Sequence, residues 1–151
     1  MNNRLLILIC LLMLFGCKSK NDMQKNPHNN PNYPDVDIDV TINPNSTQYQ
    51  ELNTVGGWMY LTAQQPSRGL IVYHKNYDDF MAYDRIPPNT PNACCNDYGN
   101  YTRLVVDFPF VVDTCLNVRY SILDGSIFDG EGYPLIEYFT EYDGITLRIY
   151  N

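Results

Sequence analysis

The fold is decided by the closing stretch VRYSILDGSIFDGEGYPLIEYFTEYDGITLRIYN, residues 118–151. It carries two Asp-Gly pairs, Asp124-Gly125 and Asp143-Gly144, each set between runs rich in β-branched and aromatic side chains. Asp-Gly in such a place is a strong hairpin signal, because glycine reaches positive φ without a Cβ penalty and the flanking residues suit a pleated surface. Two such devices in succession, with no apolar residues at helical spacing, predict antiparallel β-structure.

The rest of the domain agrees. "DVDIDVTI" (35–42) alternates acids with Val36, Ile38, Val40 and Ile42, which is the period-2 pattern of a half-buried strand. "GGWMYL" and "GLIVYH" flank the turn-forming "TAQQPSR", and "FMAYD" follows the break "KNYDD", predicting a three-strand meander. A long loop, "RIPPNTPNACCNDYGN" (85–100), interrupts the pattern before "YTRLVVDF" and "PFVVDTCLN" resume it. The expected fold is all-β, a small barrel or sandwich of about nine short antiparallel strands.

The N-terminus has a different character. Met1 to Arg4 carry one cation and lead into "LLILICLLMLFG" (5–16), an apolar run too short to span a bilayer as a mature helix, so it reads as a signal peptide. Leu14-Phe15-Gly16-Cys17 resembles the lipobox of bacterial lipoproteins, which implies cleavage before Cys17 and lipid on its sulfur. The division is then 1–16 signal peptide, 17–34 lipidated cysteine and a flexible Asn-, Lys- and Pro-rich tether, and 35–151 one globular domain. The implied location is the bacterial cell envelope, with the membrane engaged through the lipid.

Charge narrows the partners. The chain has a formal net charge of −7, which becomes −8 when Arg4 leaves with the signal. An acidic domain repels phosphate backbones, so nucleic acid is excluded as a partner class. Of 5 cysteines, Cys10 leaves with the signal and Cys17 carries lipid, so Cys94, Cys95 and Cys115 remain. In an oxidising envelope a disulfide is the default, and an odd number leaves one thiol over. The adjacent Cys94 and Cys95 lack the Cys-x-x-Cys spacing of a zinc site.

The order of motifs in the C-terminal half resembles the Rieske iron–sulfur domain. "AYDR" (82–85) ends a strand before a long cysteine-bearing loop, and a second loop with Cys115 leads into Arg119-Tyr120-Ser121 and Asp124-Gly125. "GEGYPL" (130–135) is similar to a shortened Pro-Leu turn, and Asp143-Gly144 with "LRIY" matches the closing hairpin. The resemblance covers about residues 56–151. It implies a [2Fe–2S] electron-transfer site, one iron held by two cysteines and the other by two histidines. Its ligand positions fall on Ile86, Pro88, Asp113 and Leu116, so the ligands are lost and no cofactor is expected. The same resemblance implies a loop-to-loop disulfide from Cys115 to Cys94 or Cys95, worth about 3 kcal/mol by chain entropy.

Other groups have simpler explanations. Asp78-Asp79, Asp107 with Asp113, and Asp129-Glu131 carry no converging partners that would make acid/base pairs. His74 lies in an apolar strand and reads as packed. The 13 tyrosines leave some aromatic surface for an envelope protein or glycan. The expected function is a non-catalytic interaction or structural module. The alternatives are Rieske electron transfer and thiol redox through Cys94, Cys95 and Cys115.

Overall fold

A computed structural model of the chain describes residues 29–151. It is all-β, with ten strands in place of about nine. They are β1 (Asp39–Ile42), β2 (Trp58–Leu61), β3 (Leu70–Asn76), β4 (Asp79–Asp84), β5 (Val105–Asp107), β6 (Phe110–Asp113), β7 (Val118–Ser121), β8 (Ile127–Asp129), β9 (Glu137–Tyr142) and β10 (Leu147–Tyr150). A six-stranded antiparallel sheet in the order β1-β10-β9-β4-β3-β2 curls into a half-barrel, and β5-β6-β7-β8 form a small second sheet. The small sheet is a continuous meander inserted between β4 and β9. The expected three-strand meander is β2-β3-β4.

β3 explains why its sequence is apolar without alternation: it is covered on both faces. Leu70 and Val72 join Phe80, Ala82, Leu147 and Ile149 inside the half-barrel. Ile71 and Tyr73 face the other way, toward Leu104, Val111 and Tyr120 of the small-sheet unit. Each fully buried aliphatic here contributes roughly 1.5–3 kcal/mol. β1 shows the opposite case. Val36, Ile38 and Ile42 are buried while Asp35, Asp37 and Asp39 are exposed, the face assignment read from "DVDIDVTI". Regular pairing starts only at Asp39, and the C-terminal Asn151 secures the residues before it. Its side chain accepts from the Ile38 amide at 3.0 Å and donates to the Val36 carbonyl at 2.9 Å.

Two expectations change. The polar stretch after β1 contains a 3-10 helix, Thr47–Leu52, which drives Leu52 into the core at 0 % exposure. Asn30, Asn32, Tyr33 and Pro34 of the expected tether are docked on the domain. Asn30 donates from Nδ2 to the Pro88 carbonyl at 3.1 Å, and Asn32 donates to the carbonyls of Pro88 and Asn89 at 2.8 and 2.7 Å. Asparagine counts as solvent-loving by composition, but here it supplies donors to a proline-rich loop. Residues 17–28 of the tether and the signal segment 1–16 lie outside the described residues.

Both Asp-Gly pairs do turn hairpins, with longer loops than the tightest kind. β9 and β10 pair from Tyr142 to Leu147, and the Asp143 carboxylate accepts from the amides of Ile145 and Thr146 across the turn. In the β7–β8 turn Gly125 has φ +70, and a Cβ there would stand 2.9 Å from Tyr83 Cε1. Conformation and space both require glycine.

Candidate functional site

The loops that carry the cysteines meet at the join between the two sheets. The first leaves the end of β4, where Asp84 is fully buried. Its carboxylate accepts from Tyr138 Oη at 2.8 Å and from the amides of Ile86 at 2.7 Å and Arg68 at 3.3 Å. Burial outweighs these bonds and that of Ser67, and pushes the Asp84 carboxyl above its ordinary value. Burial likewise pushes the Tyr138 hydroxyl up, reinforced by Asp84. The "AYDR" strand end is thus an anchor for the base of the loop.

The loop's two limbs are tied by Arg68. Its Nη1 donates to the carbonyls of Pro91 at 2.6 Å and Thr102 at 2.7 Å, and its Nη2 to the Asn92 side chain at 2.7 Å. Between them the tip folds back with Cys95 opposite Tyr101. Asn89 joins the loop to the rest of the site. It donates to Tyr120 Oη at 3.3 Å and to the Glu131 carbonyl at 3.2 Å, and accepts from the Tyr133 amide at 2.7 Å. Gly132 has φ +120, and a Cβ there would occupy the place of the Asn89 amide group.

The covalent tie is Cys94–Cys115, with Cα atoms 5.8 Å apart and a sequence separation of 21. The bridge therefore uses the first cysteine of the pair, and Cys95 is an exposed free thiol. Asp113, at the end of β6, is 1 % exposed and shapes the second loop. Its Oδ1 accepts from the Cys115 amide at 2.9 Å and the Leu116 amide at 3.4 Å, while its buried Oδ2 has no hydrogen-bond partner among the described residues.

The four positions aligned with cluster ligands do not form a ligand set. Ile86 and Pro88 are buried in the first loop, Ile86 within the half-barrel core and Pro88 capped by Asn30 and Asn32. Leu116 is 43 % exposed. Two hydrocarbon side chains, a proline ring and one carboxylate supply neither the thiolates nor the imidazoles that a Rieske cluster needs. These residues do not fit the group.

The remaining candidates are scattered. Asp79 faces Lys75 at 3.7 Å in the β3–β4 turn. Asp107 sits at the turn end of the β5–β6 hairpin and Asp113 at its open end, so they are not a pair. Asp129 and Glu131 are exposed near the end of β8. His74 is 8 % exposed, hydrogen-bonded through Nδ1 to the Leu52 carbonyl at 2.8 Å and stacked on Phe80 at 4.2 Å. It is packed, as its strand suggested. Cys17 lies outside the described residues.

Sequence reasoning missed Arg68, Asn89 and the N-terminal strap. The available signal was the rarity of cations. Arg68, Lys75, Arg85, Arg103, Arg119 and Arg148 are the only lysines and arginines in 29–151, against all but Asp22 of the 17 acids. In such a chain each arginine invites an explanation. No helix among the described residues is long and apolar enough to cross a membrane. No family model and no curated protein matches the sequence, so the chain's own geometry must carry the functional argument.

Proposed function

We propose that the protein is a cell-envelope lipoprotein, anchored through Cys17, whose Rieske-like domain works without a cluster as a non-catalytic interaction or structural module. The observation that carries this is the chemistry of the aligned ligand positions, Ile86, Pro88, Asp113 and Leu116, beside two loops joined by Cys94–Cys115. A disulfide between loops supplies rigidity where a bound cluster would otherwise tie them. The exposed rings of Tyr77, Tyr98 and Tyr101 offer apolar area with a polar tip to an envelope protein or glycan.

Two measurements test this. Iron analysis and a visible spectrum of the exported protein are expected to give a colourless, iron-free sample; stoichiometric iron with visible absorption would restore electron transfer. Metabolic labelling with a fatty-acid analogue is expected to mark the protein and to fail for Cys17→Ser; label that survives this substitution would remove the anchor.

A second proposal rests on one feature, the exposed thiol of Cys95 next to a bridged cysteine. Attack of the Cys95 thiolate on Cys115 sulfur would form a Cys95–Cys115 bond and release Cys94 as thiolate, with no net oxidation. Mapping by mass spectrometry under acid decides it. A single Cys94–Cys115 linkage leaves Cys95 a bystander, and a mixture brings thiol exchange forward.

A further inference from the structure

Three of the six cations in this acidic domain converge on one groove. Two clefts, about 280 and 200 Å³, share Gln65, Ser67, Arg68 and Arg103 as a common wall. Asn100 and Tyr101 line one, and Tyr60 and Arg85 the other. The arginines come from three separate segments: the loop after β2, the end of β4 and the returning limb of the cysteine loop.

Their roles differ. Arg68 holds the Thr102 carbonyl at 2.7 Å, and Arg85 holds the Leu104 carbonyl through Nε at 3.1 Å while lying 3.8 Å over the Tyr60 ring. The Arg85 carbonyl also accepts from the Leu104 amide at 2.8 Å. Residue 103 is thereby pinned on both sides by the side chains of the other two arginines. Its own guanidinium is exposed and makes no hydrogen bond or ion pair among the described residues.

This clustering is unfavourable by itself. Burial pulls the guanidinium of Arg68 below its ordinary value, and repulsion from Arg103 adds to that; Arg85 shows the same two effects. Asp84 offsets part of the repulsion, yet it is committed to Tyr138 and the loop amides. Arg103 therefore presents a rigidly based fork to a groove where, among the described residues, the Nη donors of Arg85 make no hydrogen bond. Guanidinium forks match the paired oxygens of carboxylates and phosphates.

We infer that this groove binds the oxyanion of a small, sugar-sized ligand, with Arg103 as the principal contact and Arg68 and Arg85 as the groups that position it. The inference rests on taking the domain as a binding module and names the chemistry that it recognises. The loop tip belongs to the same site, since Cys94–Cys115 and Arg68 together hold Asn100 and Tyr101 at the rim.

The test is arginine side-chain NMR on the lipidated full chain in maltoside micelles, titrated with inorganic phosphate, glucose 6-phosphate and glucuronate, with glucose as the neutral control. At least one anion is expected to shift the Arg103 Nε–H signal and the amides of 67–69 and 100–103 saturably, while glucose shifts none. Arg103→Ala is expected to weaken that binding about tenfold or more, the loss of one charge-assisted pair. Arg148→Ala makes the same change in net charge on another face, where Arg148 pairs with Asp39, and is expected to leave binding unchanged. Shifts that stay linear with every anion, or equal weakening by the two variants, would overturn the site. Failure here is distinct from failure of the cluster-free module, because the first appears as an absent titration in a colourless protein and the second as an iron–sulfur spectrum.

Discussion

Removing the Cys94–Cys115 bridge is expected to destabilise the whole domain, by an amount that follows from its position. The bridge closes a loop with a sequence separation of 21. The chain-entropy relation gives about −11 cal/mol/K for a loop of that length, or roughly 3 kcal/mol at 25 °C. The native loop keeps its other ties in the double variant Cys94→Ala/Cys115→Ala: Arg68 to both limbs, Asn89 to Tyr120, and Asp84 at the base. The loss should therefore come mainly from the freed denatured chain. Equilibrium urea unfolding reads it, with Trp58 fluorescence and far-UV circular dichroism as two probes. With a slope near 1.5 kcal/mol/M, typical for a domain of this size, the midpoint should fall by about 2 M. Both probes should move together, because a single domain of this size unfolds in one cooperative step and Trp58 packs on the core shared by the two sheets. Cys95→Ala serves as the control and should leave the midpoint in place, since its thiol is exposed and unbonded. A loss below about 1 kcal/mol would show that the denatured chain already holds this loop closed, and the entropic account would fail. Equal losses in Cys95→Ala and in the double variant would show that Cys95, not Cys94, carries the bridge to Cys115.

Further outcomes follow from single side chains. Asp84 has a raised folded-state pKa, so its contribution to stability is full below the ordinary carboxylate value and is lost as pH rises through the raised one. Asp84→Asn should remove that downward slope, measured as the difference between variant and parent in thermal midpoints across pH 3 to 7; parallel curves would refute it. Asn89→Ala removes bonds to Tyr120, Glu131 and Tyr133, and should cost about 2 kcal/mol. Hydrogen exchange should speed at Tyr133 but not at β3 amides, and an unchanged Tyr133 would count against the hub. Gly57→Ala should cost roughly 1–3 kcal/mol by overpacking, because its Cβ would fall on the Glu51 carbonyl of the backbone. A thermal midpoint within a degree of the parent would contradict that geometry.

Much of the architecture was legible because it depends on local chemistry. The alternation in "DVDIDVTI" assigned Val36, Ile38 and Ile42 to the core face, and both Asp-Gly turns lie where glycine is needed. The 3-10 helix was not legible, since Leu52 is its one buried residue and a single apolar side chain carries no period. The N-terminal strap escaped for a related reason. Asn30 and Asn32 bind carbonyls 56 to 58 residues away, and no local pattern encodes such a partner. In the candidate site, Cys115 was tied to the Cys94/Cys95 pair through the resemblance of the loops. The choice of Cys94 needed the folded-back tip.

What the sequence determined by itself was therefore the β-class and the hairpin order. Those rest on side-chain periodicity and on the φ range of glycine. The tertiary structure decided which cysteine is bridged, which asparagines are structural, and that Arg68, Arg85 and Arg103 share one groove. These residues are 17 and 18 positions apart along the chain. Only the antiparallel return of β3 and β4, and the return of the cysteine loop to the end of β4, bring their charges to one place.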